Sequence, residues 1–212
     1  MQSIYVKLEA ASALARSGAS FGYDFIKSIL SSDYLEHRLE AVIILGELPS
    51  EQSAKLLIQV LTDDAQHEEI RGGAAWALGE LNLKSSIPSL VSVFNEVSLP
   101  IRIEAARSLK RMCFSHSDTV LDFFRDASEK ERPGVSWALG KHGKWDLEAL
   151  IKRIDQNDLD MRQWGAYIIG VSDPNRIIND IEQLKINDPQ LYFAVTVLWK
   201  ITSSWIYNLK EY

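Results

Sequence analysis

One twelve-residue pattern recurs along this chain at a nearly fixed interval, and it leaves few architectures open. Its clearest copy is Ile70-Arg71-Gly72-Gly73-Ala74-Ala75-Trp76-Ala77-Leu78-Gly79-Glu80-Leu81: aliphatic, Arg, two variable, two small, variable, small, Leu, Gly, variable, apolar. Laid on the rest of the sequence, position two falls at Lys7, Arg38, Arg71, Arg102, Arg132, Arg162 and Leu191, at intervals of 31, 33, 31, 30, 30 and 29 residues. Positions one, five, eight, nine and twelve share one side of a helix turned about 100° per residue. Each motif therefore predicts an amphipathic helix. A second, narrower stripe at i, i+3, i+4, i+7 follows it, as in Ala54-Leu57-Ile58-Leu61, Ile87-Leu90-Val91-Phe94 and Leu147-Leu150-Ile151-Ile154. A two-helix unit of this length cannot bury its apolar face without a neighbour, so the expected fold is all-α: a solenoid of about seven helical hairpins.

The units run approximately 1–32, 33–64, 65–98, 99–130, 131–158, 159–187 and 188–212, within a single expected domain spanning 1–212. Punctuation keeps the same period. Pro49 and Pro174 fall between the helices of a unit, and Pro88 in the first turn of a second helix. Pro100, Pro133 and Pro189 fall just before or inside the first turn of motif helices, where a missing N–H is tolerated, and Asp188-Pro189 reads as N-cap and N1. Gly46, Gly79, Gly140 and Gly170 occupy position ten. Each costs about 1 kcal/mol against Ala in an isolated helix, so close packing between neighbouring repeats is the expected compensation. At the last repeat Trp199 replaces that glycine, and with Trp205 and Tyr207 it is expected to close the core as a cap, an oligomer contact being the alternative.

Apolar residues make up 46% of the chain, enough for a core, but no apolar run approaches the roughly 20 residues needed to cross a bilayer. Residues 1–9 show no secretory signal and Cys113 is the lone cysteine, so no intramolecular disulfide can form and a reducing cytoplasm is the expected location. Net charge is −6, and its excess lies in one half: residues 1–106 carry 8 Lys/Arg against 14 Asp/Glu, residues 107–212 carry 15 of each. An acidic first half attracts basic partners and repels phosphate backbones, which argues for another protein and against nucleic acid as partner.

The signature Ile70-Arg71-x-x-Ala74-Ala75-x-Ala77-Leu78-Gly79-x-Leu81, echoed in Arg38-x-x-Ala41-x-x-x-Leu45-Gly46-x-Leu48, resembles the HEAT-like repeat of phycobilisome lyases, a subclass of HEAT repeats. The resemblance covers essentially the whole chain. It implies a right-handed superhelix with a concave face open to a partner. For function it implies several things at once, since such repeats occur in bilin lyase subunits, scaffold and immunity-type binding proteins, and hydroxylases.

Two polar or aromatic columns are candidates for function. Arg38, Arg71, Arg102, Arg132 and Arg162 are expected to form a structural ladder, each bonding an acidic side chain or helix-end carbonyl of an adjacent repeat; Asp33, Glu68, Glu69, Asp158 and Asp160 stand nearby in sequence. An anion-binding row is the alternative, because the guanidinium fork suits both. Position seven lies well round the helix from the core and reads Ser12, Ile43, Trp76, Arg107, Trp137, Tyr167 and Thr196. Trp76, Arg107, Trp137 and Tyr167, with Trp164 beside them, are the residue types enriched in binding hot spots and are the candidate protein-binding residues. Arg107 is spaced for cation–π contact with the indoles. Packing is the competing reading, with Trp76 and Trp137 leaning back over Gly73 and Gly134. The adjacent Gly72-Gly73 predicts a close approach, by a neighbouring repeat or by a ligand.

Catalytic and metal readings lack residues. His37, His67, His116 and His142 show no zinc-like spacing. HEAT-repeat hydroxylases carry His-Glu at motif positions three and four, where this chain has Leu39-Glu40, Gly72-Gly73, Ile103-Glu104 and Pro133-Gly134, and His67-Glu68 is out of register. No catalytic residue, cofactor or metal is expected. The first functional expectation is a non-enzymatic protein-binding solenoid: a scaffold, adaptor or immunity-type neutralising partner. A bilin lyase-like chromophore-attachment subunit, with a bilin as ligand, is the alternative, and a HEAT-like DNA glycosylase a third that would want a basic groove.

Overall fold

A computed structural model of the chain describes residues 3–155 and 157–189, with Tyr192, Val195 and Thr196. Leu191 and the aromatic cap at Trp199, Trp205 and Tyr207 lie outside the described residues. Among the described residues the regular structure is helical throughout, an all-α solenoid of paired helices: α1 (Ile4–Arg16) with α2 (Ser20–Ile29), α3 (Leu35–Gly46) with α4 (Glu51–Thr62), α5 (Glu68–Leu81) with α6 (Ile87–Ser92), α7 (Leu99–Asp126), α8 (Arg132–His142) with α9 (Leu147–Lys152), and α10 (Leu159–Val171) with α11 (Pro174–Asn187). Two compact units contain them, Met1–Met112 and Cys113–Tyr212.

Local chemistry sets the helix ends. Ser50, Asp146 and Asp158 accept backbone N–H groups three residues on, and Nδ1 of His67 accepts the Glu69 N–H at 3.2 Å to cap α5. Helix α5 stops where Asn82 turns left-handed, φ 51°. Pro174, expected between helices, is instead the first residue of α11, the position where its missing N–H costs nothing. Helix α7 runs through both helices of its repeat with one break at His116, φ −134° and ψ 31°. No proline or glycine lies between Pro100 and Pro133, so the sequence there has nothing to open a loop.

In the first unit α1, α3, α5 and the start of α7 carry the motif. Their core stripe is buried as the pattern requires: Ile70, Ala74, Ala77 and Leu78 are wholly inaccessible and Leu81 nearly so. Motif helices approach closely at position ten. A Cβ on Gly46 would sit 3.0 Å from the Ala77 Cβ, and one on Gly79 2.5 Å from the Ser108 Cβ. The helix-propensity cost of these glycines is thus offset by contact between motif helices of successive repeats. Helices α2, α4 and α6 back this layer with Ile26, Leu57, Leu61, Ile87 and Leu90.

The second unit repeats the device. Helices α8 and α10 pack together, and a Cβ on Gly140 would clash with the Val171 side chain. Arg153 Nε donates to Asp122 at 2.9 Å, tying the end of α9 to the second half of α7, and Phe124, Leu150 and Ile169 are fully buried.

Candidate functional site

The arginine column reaches forward. Arg71 is 7% exposed; its Nε donates to the Leu61 carbonyl at 2.8 Å, and its two terminal nitrogens pair with Glu96 at 2.5 Å and Asp64 at 3.1 Å. In the second unit Arg132, also buried, donates to the Ala127 carbonyl at 2.9 Å and pairs with Asp158 at 3.3 Å and Asp160 at 2.5 Å. Arg38 donates to Gln66 at 3.0 Å. Arg71 and Arg132 thus tie the connection entering their own helix, through Leu61 and Asp64 or Ala127, to the start of the next, through Glu96 or Asp158 and Asp160, and Arg38 reaches forward to Gln66. Asp158 and Asp160, which precede Arg162 in sequence, serve Arg132 instead. Arg102 and Arg162 are half-buried, each with its Nε unpartnered.

An apolar groove of about 870 Å³ opens on the first unit. It crosses three motif helices and is lined by Leu39 and Ile43 of α3, Gly72, Gly73 and Trp76 of α5, and Pro100, Ile103, Glu104 and Arg107 of α7, with His67, Glu68 and Glu69 at the start of α5. Except for Pro100 and the α5 start, these are motif positions three, four and seven of successive repeats. Positions three and seven are four residues apart, so they share a helix face. A volume of this size lies within the range of known binding pockets.

The two glycines of α5 have separate roles. A Cβ on Gly73 would meet Leu39 at 3.1 Å and Val42 at 3.5 Å, so its room belongs to α3 rather than to the Trp76 ring. A Cβ on Gly72 would meet nothing within 4 Å. Gly72 itself is buried, but the space above it is open and belongs to the groove, so it forms the groove floor. Trp76 is half-buried at the wall, and Arg107, which the spacing offered to the indoles, donates instead to Glu104 at 2.5 Å. A carboxylate three residues earlier on the same helix is the nearer partner.

Of the sequence candidates, Trp76 and Arg107 come together in this groove. Trp137, Trp164 and Tyr167 lie in the second unit, each half-buried. Trp164 donates through Nε1 to Asp160 at 3.1 Å, the same aspartate that Arg132 holds, and its ring meets Tyr167 edge-on at 5.5 Å. Burial raises the Tyr167 phenol above its ordinary range. Leu39, Pro100 and Ile103 were not singled out from sequence. The signal that would have found them is the position-three column, Leu39, Gly72, Ile103, read beside position seven.

Among the described residues no group of three or more His, Cys, Asp or Glu side chains is arranged to hold a metal ion. Cys113 is wholly buried, and desolvation pushes its thiol up to about 12, so it is no nucleophile at neutral pH. No described helix is long and apolar enough to cross a membrane.

Stacked helical hairpins with an open groove on the motif helices define a helical-repeat protein. Residues 23–110 match the family model for HEAT repeats, which supports a HEAT-repeat protein. No curated protein matches the chain. Among solved structures, the chain is similar to a designed armadillo repeat protein at 13% identity, with 79% of this chain and 88% of that one covered and a TM-score of 0.37. Computationally designed armadillo repeat proteins for modular peptide recognition match at 13% identity, covering 82% and 97%, TM-score 0.37. An engineered protein matches at 15% identity, covering 91% and 63%, TM-score 0.39.

Proposed function

We propose that the chain is a non-enzymatic protein-binding solenoid, a scaffold, adaptor or neutralising partner, and that its contact surface is the groove across α3, α5 and α7. The observation that carries this reading is the open volume above Gly72, walled by Leu39, Ile43, Trp76 and Ile103. A glycine in a helix interior costs about 1 kcal/mol, and here no neighbouring repeat uses the space it leaves. The arginine column serves as a structural ladder: Arg71 and Arg132, its two buried members, are already committed to carbonyls and carboxylates of their own units, which argues against an anion-binding row.

A photo-crosslinking residue tests the surface. Placed at Ile103 in the groove, it should give discrete protein adducts in extracts of the source cell; placed at the exposed Lys55 on α4, it should give none. Adducts from position 55 and not from 103 would move the binding surface elsewhere.

A further inference from the structure

We infer that the groove receives an amphipathic helix of a partner protein, with a bulky apolar side chain over Gly72 and a lysine or arginine against Glu68 and Glu69. This rests on the protein-binding reading above and adds the partner's chemistry to it.

The walls set the backbone form of the ligand. Leu39, Ile43, Trp76, Pro100 and Ile103 offer an incoming chain no row of hydrogen-bonding groups, and the backbones of α3, α5 and α7 are bonded within their own helices. An extended segment would leave unpaired the N–H and C=O groups it turns toward those walls, at about 1–3 kcal/mol for each one buried. A helix brings its own bonds and presents apolar anchors at i, i+3 or i+4, and i+7. Neighbouring packed helices lie about 8–10 Å apart, so three of them span roughly 16–20 Å. That length corresponds to three to four helical turns at about 5.4 Å each.

Charge sets the polarity of the partner. The groove carries Glu68, Glu69 and Glu104 against Arg107 alone among the strong charges. Glu104 and Arg107 compensate each other at 2.5 Å. Glu68 accepts the neutral Ser98 hydroxyl, at 2.7 Å, and Glu69 is exposed. Among the described residues no cationic side chain pairs with either carboxylate; both stand at the start of α5, and a basic residue at one end of the ligand helix would meet them. The same charges repel an anionic lipid surface.

The test is selection of binders to the full-length protein from a displayed library of 15-residue peptides built on an alanine-rich helix with six randomised positions. Enriched sequences should carry large apolar residues at i, i+3 or i+4, and i+7, with Lys or Arg clustered at one end. Fluorescence anisotropy with the synthetic winner should then show at least tenfold weaker binding to Gly72→Leu, whose side chain fills the floor without meeting another residue at its Cβ. The double variant Glu68→Gln/Glu69→Gln should bind several-fold more weakly and lose most of the salt dependence. Circular dichroism and a thermal midpoint at or above that of the unaltered protein show that Gly72→Leu is folded. Winners without basic residues, blocked by Gly72→Leu, would overturn the partner chemistry and leave the groove standing. Winners unaffected by a folded Gly72→Leu would overturn the groove itself, and a library that enriches nothing over background overturns this proposal.

Discussion

Gly72→Ala and Gly79→Ala add the same methyl to the same helix, seven residues apart, and should move stability in opposite directions. Both gain about 0.8–1.0 kcal/mol from replacing a helix-interior glycine. At Gly72 the new Cβ meets nothing within 4 Å, so the whole gain of about 1 kcal/mol remains, worth roughly 2–4 °C for a chain of this size. At Gly79 the Cβ would lie 2.5 Å from Cβ and Oγ of Ser108 and 2.8 Å from the Arg111 guanidinium. Carbon atoms in contact prefer about 3.5–4.0 Å, so α7 must retreat by about 1 Å. Overpacking of that kind costs about 1–3 kcal/mol. The retreat also loosens the bonds from Arg111 to the Trp76 carbonyl at 3.2 Å and to Ser108 at 3.0 Å. After the helix gain is subtracted, a net loss of about 1 kcal/mol is expected, and the two variants should differ by about 2 kcal/mol. Urea denaturation followed by circular dichroism reads both, with the slope of each curve checked for constancy. Equal stabilisation by the two substitutions would refute the claim that position ten is where motif helices of successive repeats touch.

Leu78→Ala, at a wholly buried motif position, should cost about 2–5 kcal/mol in the same denaturation assay. Arg71→Met strands the Leu61 carbonyl and Glu96 and should cost about 1–3 kcal/mol, with little from the highly exposed Asp64. Arg71→Lys should recover less than half of that, since an ammonium cannot reproduce the fork. The Cys113 thiol, held up at about 12 by burial, should resist a thiol reagent at pH 8 in the folded protein and react once urea unfolds it. Its sign in pH is defined. Between the unfolded thiol range, near 9.0, and about 12, the folded state holds a proton the unfolded state has released. Stability is therefore full below pH 9 and falls as pH rises through that window, and denaturation of Cys113→Ala across pH 8–11 should lack this component. A bilin added to the folded protein should leave its absorbance unshifted if the groove serves a protein helix.

The hairpin plan could be read from the chain because its signals are local and periodic. Ala74, Ala77 and Leu78 mark the buried face of a helix wherever they sit, and Pro88, Pro100 and Pro133 occupy first turns for a reason internal to each helix. Long-range partners were less visible. Asp158 and Asp160 precede Arg162, yet they bind Arg132, because an arginine near the start of one motif helix reaches the turn entering the next. The break at His116 had no sequence marker, since only backbone angles distinguish it from the helix on either side. The groove was half legible: the position-seven column located Ile43, Trp76 and Arg107, but the matching position-three column was read only for its missing catalytic His-Glu. Gly72 and Gly73 look alike in sequence, and only the distance to Leu39 separates a packing glycine from an open one.

Alanine-methyl-labelled protein would show directly whether motif helices of successive repeats lie against one another. The account predicts strong nuclear Overhauser contacts from the Gly46 α-protons to the Ala77 methyl, whose carbon lies 3.0 Å from where a Cβ on Gly46 would be. Sharp, assigned signals at both residues with no cross-peak between them would contradict it.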